Sequence, residues 1–140
     1  MTNAMRVVLD TNVLLVSIAP SSIYRPIFDA LLAKKYTLVI SNDILTEYEE
    51  IFSQRANQKV ANLVLEALGN LSNVKKQDIF IKWNIIEADK DDNKFVDCAI
   101  AGNCHYIVTD DRHFNILKTK GNDLIELVNI DVFLAMVSEL

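Results

Sequence analysis

Several acids of this chain stand where an apolar stretch gives out. Val7-Val8-Leu9 runs straight into Asp10-Thr11-Asn12, and Tyr106-Ile107-Val108-Thr109 runs into Asp110-Asp111. Short apolar runs rich in β-branched residues suit buried strands, so each reads as a strand that hands a carboxylate to the rim of a sheet. One aspartate in that position is ordinarily a cap or turn former; acids repeatedly placed there suggest a site. Further acids belong to predicted helices. On the apolar face of Ile44, Leu45, Tyr48, Ile51 and Phe52, Glu47 and Glu49 flank the two edges and Glu50 points away, so spacing does not choose between the first two. Asp97 falls between Ile100 and Ala101 in projection on an otherwise apolar helix, an odd position because burying an unpaired carboxylate is expensive.

Acids gathered at one sheet edge raise each other's pKa values and cannot all remain ionised without compensation. A divalent cation supplies it. With no His or Cys in the set, a hard, oxygen-liganded ion fits, one or two of Mg²⁺ or Mn²⁺. Such ions activate water and stabilise the charge that develops in phosphate-ester displacement, which makes phosphodiester hydrolysis the natural use. His105 and His113 are too few and too far apart in sequence to propose a histidine site, and Cys98 and Cys104 lack metal or redox spacing and read as core residues.

The elements that must position these acids alternate along the chain. After the first strand, Val13 to Ile18 continues apolar and Pro20-Ser21-Ser22 breaks it. Helices are expected at about 23–34, 44–52, 56–71, 93–102 and 131–140, with a short one around Phe114 to Leu117. Strands are expected at 36–40, 84–87, 106–109 and 124–128, with Val74 to Lys82 irregular or a short strand. Trp83 is expected to pack, and Asp91 or Asp92 to cap the helix that follows. Strand–helix alternation favours a parallel sheet with crossover helices, whose functional crevice opens at the carboxyl ends of the strands. The fold class is therefore α/β, a three-layer sandwich around a central parallel sheet of four to five strands.

At 140 residues the chain is read as a single domain, 1–140, with residues 1–5 a loosely ordered start. A composition of 51% apolar and 24% charged residues suits a compact soluble protein, and no stretch resembles a signal or membrane span, which makes the cytoplasm the default location. The net charge of −5 excludes a protein that grips nucleic acid by bulk basicity, but not an enzyme that acts on it.

The ordered set V-L-D-T-N-V at Val8 to Val13, S-x-x-x-L-x-E at Ser41 to Glu47, D-x-x-I-A at Asp97 to Ala101 and T-x-D-x-x-F at Thr109 to Phe114 resembles the PIN-domain family of metal-dependent ribonucleases. The run D-x-D-D-N-K-F at Asp89 to Phe95 further resembles the branch of VapC-like toxin components of toxin–antitoxin pairs. The resemblance implies an acidic quartet on Asp10, Glu47, Asp97 and Asp111, as catalytic and metal-binding residues, with Asn12 and Thr109 as polar support. It thus prefers Glu47 to Glu49 and Asp111 to Asp110. At the third position members of this branch often keep the acid at Asp92 and vary the one at Asp97, so Asp92, Asp97 or both are metal ligands. It also implies hydrolysis of single-stranded RNA, a homodimer and a cognate antitoxin, while Lys90, Lys94 and Arg112 are candidates to steady the RNA backbone. An aspartyl phosphatase would place a second aspartate where Asn12 stands. A receiver domain would need its acceptor after a middle strand, which here ends in Ser41-Asn42. The remaining rival is a PIN-like RNA- or protein-binding module that does not cleave.

Overall fold

A computed structural model describes residues 4–119 and 125–140 of the chain; residues 1–3 of the expected loose start, and Leu124, where the last strand was expected to begin, lie outside the described residues. Five parallel strands, β1 (Arg6–Leu9), β2 (Thr37–Ile40), β3 (Val74–Lys76), β4 (Tyr106–Val108) and β5 (Glu126–Val128), form one sheet in the order β3-β2-β1-β4-β5. The helices are α1 (Thr11–Ser17), α2 (Arg25–Leu32), α3 (Asn42–Arg55), α4 (Gln58–Asn70), α5 (Asn93–Ala101), α6 (Ile116–Thr119) and α7 (Ile130–Ser138), and they flank the sheet as the outer layers. Strand order grows outward from β1 in one direction and then resumes on its other side with β4. The switch point therefore falls between β1 and β4, where Val7, Val8 and Leu9 pair with Tyr106, Ile107 and Val108.

Local chemistry explains most boundaries. Strands buried on both faces need continuous apolar runs, and Val7, Val8, Leu9, Leu38 and Ile107 are fully buried. The side chains of Ser41, Asn57 and Asn129 accept from the N–H groups of Ile44, Val60 and Val132, capping α3, α4 and α7. Pro26 sits in the first turn of α2, where its missing N–H is harmless. Two buried tyrosines are satisfied through their hydroxyls: Tyr36 donates to the Ile27 carbonyl at 2.9 Å and Tyr48 to the Leu9 carbonyl at 2.6 Å. The second bond ties α3 to the end of β1, one residue before Asp10. Cys98 and Cys104 are both buried and free, as expected of core residues.

Three expectations are corrected between residues 77 and 92. Asn84 to Glu87 is not a strand, because the Asn93 side chain takes both backbone groups of Ile86, accepting from its N–H at 2.8 Å and donating to its carbonyl at 2.9 Å. Trp83 does not pack away; it is 49% exposed, and Phe80 in the same segment is 89% exposed. Asp92 stands at the N-cap position of α5 but its side chain makes no capping bond; the side-chain cap is made by Asp89, whose carboxylate accepts from the Asp91 N–H at 3.1 Å at the head of the preceding 3₁₀ turn over Lys90–Asp92.

At the end of α5 the backbone runs so close to β2 that a side chain has no room. A Cβ on Gly102 would stand 2.8 Å from Cγ1 of Val39 and 3.1 Å from the Cys98 carbonyl oxygen. Gly102→Ala is therefore expected to destabilise the fold by about 1–3 kcal/mol through overpacking. Urea unfolding followed by circular dichroism measures this, and an unchanged midpoint would show that Val39 yields freely.

Candidate active site

The edge of the sheet at the β1–β4 switch carries the acids. Asp10 follows β1 and sits at the N-cap position of α1, yet its side chain makes no capping bond. Instead its Oδ2 accepts the Thr109 hydroxyl at 2.7 Å, and that same hydroxyl oxygen accepts the Asp111 N–H at 3.0 Å. Thr109 thus locks the end of β1 to the end of β4 and leaves Asp111 turned out just beyond. Burial is the main influence on Asp10 and raises its pKa; the Thr109 and Thr11 hydrogen bonds oppose the rise, and Glu47 and Asp111 add to it.

Glu47 reaches the same place from α3. One of its oxygens accepts the Thr11 hydroxyl and the other accepts the Lys94 ammonium at 2.8 Å. Glu49 and Glu50 are exposed, so the helix phase turns Glu47 alone of the three toward the edge. Of the adjacent aspartates, Asp110 accepts from the Ile130 N–H at 2.9 Å and serves the start of α7, whereas Asp111 raises the pKa of both Asp10 and Asp92.

Asp92 and Asp97 occupy different surroundings. Asp92, 14% exposed in its side chain, has a buried Oδ2 with no hydrogen bond. Its pKa is pushed up to about 7, first by burial and then by Asp89, Asp111 and Asp10, while His113 opposes the rise. Asp97 is buried, and one of its oxygens accepts the Trp83 N–H at 3.0 Å; burial raises its pKa, while that bond and Lys82 oppose the rise. It anchors the irregular segment before α5, and Lys82, not another acid, is the charge that acts on it. Charge interactions therefore link Asp10 with Glu47, Asp92 and Asp111, while Asp97, fastened to the Trp83 N–H, lines a neighbouring cavity that Glu47 also borders.

The polar and basic candidates divide similarly. Asn12 is exposed on the wall of a cavity of about 410 Å³ that Asp10 and Asp111 also line. Lys90 and Arg112 are exposed, while Lys94 is committed to Glu47. Two residues not singled out as ligands by their sequence positions join the edge. Ligand atoms of Asp89, Asp92 and His113 all lie within 4.8 Å of one another. The signal for His113 was its place two residues after Asp111, which counts only once β4 is known to end beside β1.

A divalent cation suits this donor set. Burial and neighbouring acids raise the pKa values of Asp10 and Asp92, and the Asp92 Oδ2 is a buried acceptor without a hydrogen-bond donor in good geometry.

A family described as "PIN domain" matches residues 6–113. No curated protein sequence matches the chain at a significant level. Among solved structures, the VapBC2 assembly of Rickettsia felis bound to a DNA fragment from its promoter contains a chain 22% identical, with a TM-score of 0.59, over 89% of this chain and 98% of that one. A chain of VapBC-1 from nontypeable Haemophilus influenzae is 15% identical, with a TM-score of 0.58, over 91% and 99% respectively. FitAcB from Neisseria gonorrhoeae is matched at 18% identity and a TM-score of 0.54, over 89% and 97%. At these identities the likeness is one of fold.

The raised pKa of Asp92 yields a prediction for the metal-free protein. An acid harder to ionise when folded disfavours the native state above its folded pKa and not below its unfolded one. Its penalty therefore grows as pH rises from about 4 to about 7. In EDTA, Asp92→Asn is expected to be more stable than the parent at pH 8, with the gain vanishing toward pH 4. Urea unfolding at pH 4, 6 and 8 measures the difference, and a gain independent of pH would contradict the assignment.

Proposed function

The chain belongs to the PIN-domain family, and on that premise we propose that it is a divalent-metal-dependent endoribonuclease of single-stranded RNA, the toxin of a toxin–antitoxin pair. The observation that carries this reading is the convergence of Asp10, Glu47, Asp92 and Asp111 at the β1–β4 switch, with the Asp92 Oδ2 left without a donor. We assign the ion, Mg²⁺ or Mn²⁺, to these four acids and give the third position to Asp92 rather than Asp97.

Bound there, the ion supplies an activated water and stabilises the charge that develops on the phosphate. The chain's own residues prepare its seat. Thr109 fixes the rotamer of Asp10, and Thr11 with Lys94 fixes Glu47. Exposed Lys90 and Arg112 are placed to hold RNA phosphates, whereas Lys94 is a positioning residue for Glu47. The VapBC and FitAcB neighbours support a cognate antitoxin, and the family supports a homodimer in the cytoplasm; no helix among the described residues is long and apolar enough to cross a membrane.

Cleavage of a single-stranded RNA by the purified chain tests the reading. Excess EDTA is expected to abolish it, and Asp10→Asn or Asp92→Asn to lower it by about 100-fold or more while the circular dichroism spectrum is kept. Full activity in EDTA would overturn the metal mechanism, and inability to bind Mn²⁺ by calorimetry would favour the non-cleaving binding module.

The two acids near α5 separate in a second experiment. Asp97→Ala leaves the Trp83 N–H without its acceptor and is expected to cost about 1–3 kcal/mol of stability with Mn²⁺ affinity kept, whereas Asp92→Asn is expected to lose Mn²⁺. Denaturation and calorimetry on both variants decide the matter, and the reverse pattern would return the third position to Asp97.

A further inference from the structure

Resting on the metal reading above, we propose that His113, together with Asp89, completes a mixed nitrogen–oxygen ion position at Asp92, and that this position selects Mn²⁺ or a later first-row ion over Mg²⁺. The ligand atoms of Asp89, Asp92 and His113 lie within 4.8 Å of one another. Ligands at about 2.1 Å from an octahedral ion lie roughly 3 to 4.2 Å apart, so small side-chain rotations close the set. His113 Nδ1 stands 3.5 Å from Asp92 Oδ2 and 3.4 Å from Asp111 Oδ1, and it therefore borders both carboxylates that a metal would share. The Asp92 Oδ2 is buried, and the His113 imidazole at 3.5 Å is the side chain that faces it.

Neighbouring side chains hold the parts in place. The His113 N–H donates to Asp111 at 2.9 Å, and the next residue, Phe114, is fully buried against Phe95 of α5 with ring centroids 6.2 Å apart. Since α5 begins immediately after Asp92, this aromatic pair fixes both sides of the position at once. Asp89 holds the 3₁₀ turn with one oxygen, bonded to the Asp91 N–H, and faces the cluster.

The chemistry of the set decides the ion. Mg²⁺ demands oxygen in near-ideal octahedral geometry and gives up water reluctantly, whereas imidazole is a good ligand for the first-row divalent ions, whose affinities rise from Mn²⁺ toward Cu²⁺. A nitrogen next to Asp92 therefore penalises Mg²⁺ relative to Mn²⁺. The other histidine, His105, accepts the Arg6 N–H at 3.0 Å through Nδ1, where β1 and β4 begin, at the opposite end of the strands from the acids.

The test is calorimetric titration of Mn²⁺ and of Mg²⁺ into EDTA-stripped protein and its His113→Gln variant, with pulsed EPR of the Mn²⁺-loaded parent. The parent is expected to bind Mn²⁺ about tenfold or more tightly than Mg²⁺, and His113→Gln to bring that ratio to within about twofold of unity by weakening Mn²⁺ alone. The EPR spectrum is expected to show ¹⁴N coupling that becomes ¹⁵N coupling when the protein is labelled at histidine, a readout that holds even if the variant fails to fold. Mn²⁺ binding with no nitrogen coupling and an unchanged ratio would overturn the role of His113 and leave the metal reading standing. Absence of binding by either ion would overturn both.

Discussion

The hydroxyl of Thr109 donates to a carboxylate 99 residues earlier in the chain, and the site exists because that bond can form. It depends on the parallel pairing of β1 with β4, which sets Leu9 beside Val108 and so brings the residues after each strand to the same rim. From that register follow the burial of Asp10, the outward turn of Asp111, and the opening between the two strands. Helix α3 is tied to the same point by the Tyr48 hydroxyl on the Leu9 carbonyl, which carries Glu47 to within reach of Thr11.

The edge so built is in electrostatic tension. Burial and mutual repulsion disfavour the ionised forms of Asp10 and Asp92, and within the protein only part of this is offset. Glu47 has a lysine and a hydroxyl, and Asp10 has a hydroxyl, while one oxygen of Asp92 has neither. Unpaired buried acids are unfavourable on stability grounds alone, and functional sites are where such arrangements concentrate. The tension is confined to one rim, backed by a core of aromatic and aliphatic side chains that includes Tyr48, Phe95 and Phe114.

The elements that carry strong local signals were legible in the sequence. Val7-Val8-Leu9 reads as a buried strand, and the apolar face of Ile44, Leu45, Tyr48, Ile51 and Phe52 announced α3. The identity of the family was readable too, since its motifs keep their order along the chain. Selection among neighbouring acids was not readable from spacing. Glu47 is distinguished from Glu49 by its tertiary partners, Thr11 and Lys94, one from a helix more than thirty positions earlier and one from a helix later in the chain. Asp92 and Asp97 are separated by the path of residues 77–89, which offers the Trp83 N–H to one of them and nothing to the other. The apolar run Ile85-Ile86 suggested a strand, but the amide of Asn93 satisfies the backbone of Ile86 by a local clamp that no periodicity reveals. His113 was set aside for want of a second histidine nearby in sequence, and its partners are carboxylates, Asp111 two residues earlier and Asp92 at the head of α5.

The central place of β1 also orders events during synthesis. Of the five described strands it is made first, and β2 and β3 follow to join it on one side, but the strand on its other side is β4, which comes only after residue 105. Chains fold from the N-terminus as they are made, and contacts between distant segments must wait for the later one. Thr109 and Asp111 therefore meet Asp10 only after β4 has been made. A partly made chain therefore holds Asp10 and Glu47 without the other half of the site, and the acids can act together only once β4 has taken its place beside β1.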